Sequence, residues 1–236
     1  MTRFRWLLLA LVLLAAGLRL FPLDWDQYHF YHPDERAVAS AVNNLSFSPL
    51  QLNPRFFAYG SLPFYVTKTV TSALSTVRGW FGTPDRWFSG YDGSIITARA
   101  LSALWGTAAV LLLGVLGARL YNRRVGLLAA FLLAVAVSHL QNSHFATNDV
   151  PLTTLVLLAL YFMVRVVESG RILHYALAGL AIGLALATKF SAAPLFLPLA
   201  IAGLYRWRRD GNFGRAVGWT VLAVLAAGVA FALAQP

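Results

Sequence analysis

The sequence predicts an all-α protein: a polytopic transmembrane helical bundle of about seven spans, with amphipathic interfacial helices in a long first outer loop. Three observations predict it. The 236 residues are 58% hydrophobic and only 12% charged, whereas soluble domains carry about 25% charged residues. The apolar residues come in blocks that approach or exceed the roughly 20 needed to cross a hydrocarbon core. The Lys and Arg behind the net charge of +10 sit in short clusters between those blocks, the placement that the positive-inside rule produces. That placement leaves no soluble basic patch to track a phosphate backbone, which argues against nucleic acid as a partner. The absence of Cys excludes disulfides, thiolate zinc sites and cysteine nucleophiles.

The first apolar segment runs from Trp6 to Leu23, behind Arg3 and Arg5. Its rival reading is a cleaved signal peptide, with Ala15-Ala16-Gly17 as the small-residue cleavage site. Both readings start from a cytoplasmic N-terminus and deliver the following residues to the outer side. Residues 24–94 are mixed and aromatic, with five Pro and six of the nine acidic residues. An extracytoplasmic loop this long is expected to carry function or small elements of its own. Within it, Pro33 to Leu45 reads as an amphipathic helix. Pro33 suits the first helical position, Asp34 and Glu35 suit the positive N-terminal end, and Ala37, Val38, Ala41, Val42 and Leu45 form one apolar stripe. A second helix is expected from Ser61 to about Trp80.

The remaining spans are expected at about 97–118, 125–142, 150–167, 172–188, 193–206 and 215–234. The connections after the second, fourth and sixth spans hold Arg119, Arg123 and Arg124; Arg165 and Arg171; and Arg206, Arg208, Arg209 and Arg215. The short connections on the other side hold only Lys189. Short-loop bias sets orientation, so the Arg-rich connections are cytoplasmic. Gly179 and Gly183 form a small-xxx-small pair, expected to serve helix packing.

Orientation sorts the acidic residues. Asp24, Asp26, Asp34, Glu35, Asp85, Asp92 and Asp149 fall outside, and Glu168 and Asp210 inside. The outer span ends also carry Arg19, Arg99, the run from Ser138 to His144, and Lys189. Polar groups at membrane depth are costly and mark function. Three separate segments therefore bring Asp34 and Glu35, His144 and Asp149, and Lys189 to one membrane face. Each piece has a plainer reading. Asp34 and Glu35 stabilise a helix N-terminus, and being adjacent they point about 100° apart, so at most one of them faces a reacting group squarely. Asn148 or Asp149 caps the next helix, with Pro151 in its first turn. Lys189 snorkels at a helix C-terminus. Arg19 and Arg99 anchor at the interface, His29, His139 and His174 are structural or solvated, and most of the seven Trp fit the interfacial aromatic belt.

Tyr31-His32-Pro33-Asp34-Glu35 resembles the acidic motif in the first outer loop of the C-type glycosyltransferase superfamily. The resemblance is to bacterial family-39-like enzymes related to protein O-mannosyltransferases and to the aminoarabinose transferase of lipid A. Three further stretches are similar in family order: Phe56-Phe57-Ala58-Tyr59-Gly60-Ser61-Leu62-Pro63, then Ser143-His144-Phe145-Ala146-Thr147-Asn148-Asp149-Val150-Pro151, then Gly179 to Gly183 with Thr188-Lys189-Phe190-Ser191. Four elements in order are specific for the superfamily and uninformative about the acceptor. The resemblance implies a polyprenyl- or dolichyl-phosphate sugar donor and transfer, with inversion, to a protein, lipid or glycan acceptor on the outer face of the cell membrane. It makes Asp34 the catalytic carboxylate with Glu35 beside it, Asp149 the second acidic position, and Lys189 a basic residue near the donor phosphate. His32, Tyr59, Arg99, His144 and Asn148 complete the substrate-binding set.

Chemistry agrees with that assignment. An inverting transfer needs a base for the acceptor hydroxyl, and a positioned carboxylate supplies roughly 10²–10⁴-fold. A lipid phosphate leaving group calls for cations at its oxygens; Lys189, Arg99, His144 and Arg55 are the candidates in that order. No nucleotide is required, in keeping with the absence of a dinucleotide or P-loop glycine motif. A divalent metal could be held by Asp149 and His144, although no cofactor is demanded. The chain stops at Ala234-Gln235-Pro236 directly after an apolar run, and relatives of this family are longer. Residues 1–236 are therefore expected to form the N-terminal transmembrane module of a longer glycosyltransferase. Two alternatives stand beside that reading: a transporter or flippase for a lipid-linked or anionic substrate, and a non-catalytic scaffold. Transporters place ionisable residues and broken helices near the midplane, and the expected polar cluster here lies at one face.

Overall fold

The computed structural model describes residues 2–27, 29–79 and 90–235. Asp85 and Trp80, expected in the outer loop and at the end of its second helix, lie outside the described residues. The described chain is all-α apart from one hairpin. In order come α1 (Thr2–Leu20), α2 (Pro33–Asn44), the strands β1 (Ser46–Phe47) and β2 (Leu50–Gln51), α3 (Leu62–Gly79), α4 (Gly90–Leu120), α5 (Arg123–Val135), α6 (Val137–Ser143), α7 (Asp149–Ser169), α8 (Ile172–Thr188), a 3₁₀ turn (Phe190–Leu195), α9 (Phe196–Asp210) and α10 (Phe213–Ala234). The two strands pair antiparallel, Ser46 opposite Gln51 and Phe47 opposite Leu50.

The expectation of about seven spans is corrected. By length and composition, α4, α7 and α10 can cross a membrane, and α5 with α6 makes a fourth if the bent pair is one span. The chain is thus an integral membrane protein with three to four candidate spans among its described residues. The excess in the sequence reading has physical causes. The segment read as the first span forms α1, whose 19 residues carry Arg3, Arg5 and Arg19. Helix α8 has 17 residues, about 26 Å of helix against a hydrocarbon core of about 30 Å. The stretch read as 193–206 is a 3₁₀ turn with Pro194 inside it, followed by a 15-residue helix whose last turn carries Arg208 and Arg209. The stretch read as 125–142 is not one helix. It breaks at Ala136, and the two parts meet at 59°.

Helix ends follow local chemistry. Asn122 accepts from the N–H groups of Arg124 and Val125 at the start of α5, and Asn212 accepts from Arg215 N–H at the start of α10. Helices α7 and α9 end on Gly170 and Gly211, with φ of 58° and 70°, the left-handed conformation in which glycine is favoured. The largest core lies where α7, α8, α9 and α10 meet, around Leu155, Met163, Tyr175, Ile182 and Leu199. There Gly179 and Gly183 let backbones touch: a Cβ on either would sit 2.0 Å from the Ala223 carbonyl oxygen or 2.3 Å from that of Ala227. The small-residue pair is a packing face against α10, as the sequence suggested. At the Arg-rich ends Glu168 pairs with Arg119 and Arg165, and Arg206 with Asp210.

Candidate active site

The site is built on the first turn of α2. His32 caps the helix, its Nδ1 accepting from Asp34 N–H at 3.2 Å, and Pro33 occupies the first helical position. Val38, Ala41, Val42 and Leu45 pack with Phe64 of α3, Ala98 of α4 and Ala146, which fixes the rotation of α2. That rotation gives the adjacent carboxylates opposite environments. Glu35 is fully buried, while Asp34 is half-buried.

Beneath α2 lies an ion cluster around Arg99 of α4. Its Nε and Nη2 donate to the Glu35 oxygens at 2.7 Å each. Nη1 and Nη2 donate to Asp26 at 3.0 and 2.7 Å, and Nη1 also to the Leu23 carbonyl at 2.8 Å. These five bonds match the five N–H groups of a guanidinium. The backbone N–H of Ala146 donates to Glu35 Oε1 at 3.0 Å, so the carboxylate also ties the 144–149 segment to α2. The rings of Trp25 and Phe30 lie 5.7 and 5.4 Å from the guanidinium carbon. Arg99, Asp26 and Glu35 have no exposed side-chain surface. Arg99 was expected at a donor phosphate; its donors are held by protein acceptors instead. It is not an interfacial anchor either, because it is fully buried.

Above this cluster is a second, more open group. Tyr59 Oη donates to Asp34 Oδ2 at 3.3 Å. Lys189 Nζ sits 5.5 Å from the centroid of the Tyr59 ring and donates to Asp149 Oδ1 at 2.7 Å. Asp34, Tyr59, Lys189 and Asp149 therefore form one chain of contacts drawn from four segments. Gly60 makes it possible. Its N–H donates to the Thr188 carbonyl at 3.0 Å, and a Cβ there would lie 1.9 Å from the Ala187 carbonyl oxygen. Only a residue without a side chain lets this loop lie on the end of α8 and bring Tyr59 to Lys189. Burial first, then the charge of Asp34 and the hydrogen bond to it, push the Tyr59 hydroxyl above the ordinary tyrosine value. The hydrogen bond to Asp149 is the main cause holding Lys189 above the ordinary lysine value.

The other expected site residues divide. The His32 ring packs 4.5 Å from that of Phe145, next to Asp34. His144 ends α6, with Nδ1 3.1 Å from the Leu140 carbonyl, and lines a cavity of about 410 Å³ with Phe21, Pro22, Trp25, Gln141 and Phe145. Asn148 precedes α7 without a side-chain cap bond. Its buried Nδ2 and the Oγ1 of Thr147 have no hydrogen-bond partner and border a cavity of about 20 Å³, room for one water. Arg55 sits in the loop before Tyr59 with φ 56°. His144 and Asp149 are engaged by different neighbours, and no group of three or more His, Asp or Glu fit to hold a metal exists among the described residues. The donor set does not suit the divalent ion allowed for above. Sequence reasoning placed Asp26 on the outer side but missed its part in the site, because an acid in a loop without periodicity gives no signal.

Residues 91–234 match the sequence profile of the dolichyl-phosphate-mannose-protein mannosyltransferase family. The chain belongs to that family. It is a membrane glycosyltransferase family of the C-type superfamily, in agreement with the resemblance drawn from the motifs. The matched range begins after α2 and α3, so Asp34 and Tyr59 lie outside it. Among solved structures the fold is similar to the S. cerevisiae protein O-mannosyltransferase Pmt1-Pmt2 complex bound to the sugar donor, at 19% identity and TM-score 0.69, over 98% of this chain and 33% of that one. It is also similar to the apo Archaeoglobus fulgidus oligosaccharyltransferase, at 16% identity and TM-score 0.67, over 98% of this chain and 29% of that one. At these identities the likeness is one of fold. The chain spans about a third of the length of either relative. No protein of curated function matches the sequence.

Proposed function

We propose that this chain is the N-terminal transmembrane module of a glycosyltransferase that moves a sugar from a polyprenyl- or dolichyl-phosphate donor to an acceptor hydroxyl at the extracytoplasmic face. Residues 24–94 form the outer loop that carries the base, and the Arg-rich helix ends face the cytoplasm. The observation that carries the reading is the split between neighbours: Glu35 is locked beneath α2, and Asp34 alone is linked, through Tyr59, to a lysine.

Asp34 takes the proton of the acceptor hydroxyl as its oxygen attacks the anomeric carbon. The bond from that carbon to the phosphate oxygen breaks in the same displacement, so the configuration inverts and the lipid phosphate leaves with the bonding electrons. Lys189 faces the leaving phosphate, where its charge offsets the negative charge that develops. Asp149 holds the ammonium in place before the donor arrives. Tyr59 fixes the orientation of Asp34. Glu35, Arg99 and Asp26 act as positioning residues that hold α2 and the 144–149 segment in register, and His32 sets the first turn. His144 and the cavity it lines are the place for further substrate contacts.

Membership of a mannosyltransferase family weighs against the transporter and scaffold readings. The intact protein in lipid vesicles, supplied with radiolabelled polyprenyl-phosphate sugar, tests the proposal. Asp34→Asn should abolish transfer while the protein stays folded. Turnover equal to that of the unsubstituted protein removes Asp34 from the mechanism.

A further inference from the structure

The break between α5 and α6 has no local cause in the sequence. Residues 131–140 read Phe-Leu-Leu-Ala-Val-Ala-Val-Ser-His-Leu, with no Pro or Gly, and the apolar run from Phe131 to Val137 on both sides of the break is compatible with a continuous helix. Sharp kinks otherwise arise where a side chain inserts into the hydrogen-bond ladder. Arg19 of α1 does this. Its Nη2 donates to the Leu133 carbonyl at 2.9 Å and its Nη1 to the Ala134 carbonyl at 3.1 Å. In an unbroken helix those carbonyls would accept from the N–H groups of Val137 and Ser138.

The surroundings fit this arrangement. Arg19 is fully buried, so it is not the interfacial anchor considered from the sequence. Its Nη2 also lies 3.1 Å from His139 Nδ1. A guanidinium only donates, so His139 Nδ1 is the acceptor there, while Arg19 Nε and His139 Nε2 are buried without a hydrogen-bond partner. On the opposing wall a Cβ at Gly106 of α4 would sit 2.5 Å from Ser143 Oγ and 3.0 Å from Arg19 Nε. The α4 surface is cut back where the break and the guanidinium meet it.

The break also decides where the next segment goes. Helix α6 has seven residues, about 10 Å of helix, and removing a bend of 59° would carry its end roughly 10 Å away. From that end follow His144 and Phe145 at the aromatic cavity, Ala146 with its N–H on Glu35, and Asp149 with its carboxylate on Lys189. We propose that Arg19 is a positioning residue: it breaks the fifth helix from α1 and so aims residues 144–149 into the candidate site.

The test uses the intact protein in lipid nanodiscs, with the α5–α6 angle read by cryo-electron microscopy and sugar transfer measured in parallel. Arg19→Met should reduce the bend to below about 20° and lower transfer about 10²-fold, the usual cost of misplacing a reacting group. The decisive variant is Arg19→Met combined with Val137→Pro. Position 137 is the first residue of α6, it is exposed, and Ala136 before it has φ −61° and ψ 112°, so a proline fits and imposes the break without the arginine. This double variant should recover the bend and bring transfer to within about tenfold of the unsubstituted protein. An unchanged bend in Arg19→Met, or a double variant that regains neither bend nor transfer, overturns the proposal. If Arg19→Met does not fold, the double variant alone decides by the same criteria, and its failure to fold also overturns it. The rate measurement rests on the sugar-transfer reading and the angle does not. An unsubstituted protein without transfer would therefore refute the function and leave the angle to judge Arg19.

Discussion

Replacing Glu35 by Gln separates a structural carboxylate from a catalytic one. Glu35 makes two 2.7 Å bonds to Arg99 and a third to Ala146 N–H, with no exposed surface on either ion. Gln keeps the shape but loses the charge, and its amide N–H₂ turns a donor toward the guanidinium. Arg99 then keeps Asp26 as its single carboxylate. Breaking one partnership of a fully buried pair costs about 3–5 kcal/mol, a large part of the roughly 5–15 kcal/mol that holds a typical domain folded. Arg99→Met should cost at least as much, because it leaves two carboxylates buried without a cation. The double variant should cost less than the sum of the two singles by about 2 kcal/mol, the signature of direct coupling. The assay is denaturant unfolding in detergent, followed by tryptophan fluorescence, for the four members of the cycle. Asp34→Asn is the control. Asp34 is half-buried and makes one long bond, so its change should cost within about 1 kcal/mol. A Glu35→Gln protein that unfolds at the same denaturant concentration as its parent while losing transfer would refute the positioning role and return Glu35 to the catalytic set.

Two further outcomes follow from the upper cluster. Gly60→Ala places a methyl group within 1.9 Å of a backbone oxygen; the loop must move, at about 1–3 kcal/mol, and transfer should fall with Tyr59 displaced, so unchanged thermal unfolding and transfer would refute the close approach. Lys189 and Tyr59 are both held above their ordinary values, so the contribution of the ammonium is complete below the ordinary lysine pKa and is lost as pH rises through the raised one. The alkaline limb of transfer against pH should therefore begin above about pH 10 and move down in Asp149→Asn; a limb that stays in place would exclude the Lys189–Asp149 pair from it.

What could be read from the chain depended on whether the cause was local. The helix from Pro33 was legible because a proline, two acids and an apolar stripe lie within one stretch, and α8 was found at 172–188 because nothing in its sequence competes. Asp149 and Lys189, which the sequence reading assigned to one membrane face, are in contact in the fold. The number of spans was overread because apolar length alone does not reveal a 3₁₀ turn at Phe190–Leu195 or the pull of three arginines on α1. The parts played by Asp26, Arg99 and Arg19 were missed for one reason: what each does is set by a partner tens of residues away. Arg99 meets acids 64 and 73 positions earlier, and Arg19 breaks a helix 115 positions later. A cation at a span end reads as an anchor until the fold shows that it is buried. Once buried, it has to find acceptors, and in this chain those acceptors are the groups that fix the two sides of the site. The same two arginines that look expendable at the level of hydropathy therefore bear on the segments that carry Asp34 and Asp149. One of them does so by neutralising carboxylates under α2. The other acts by taking carbonyls from α5.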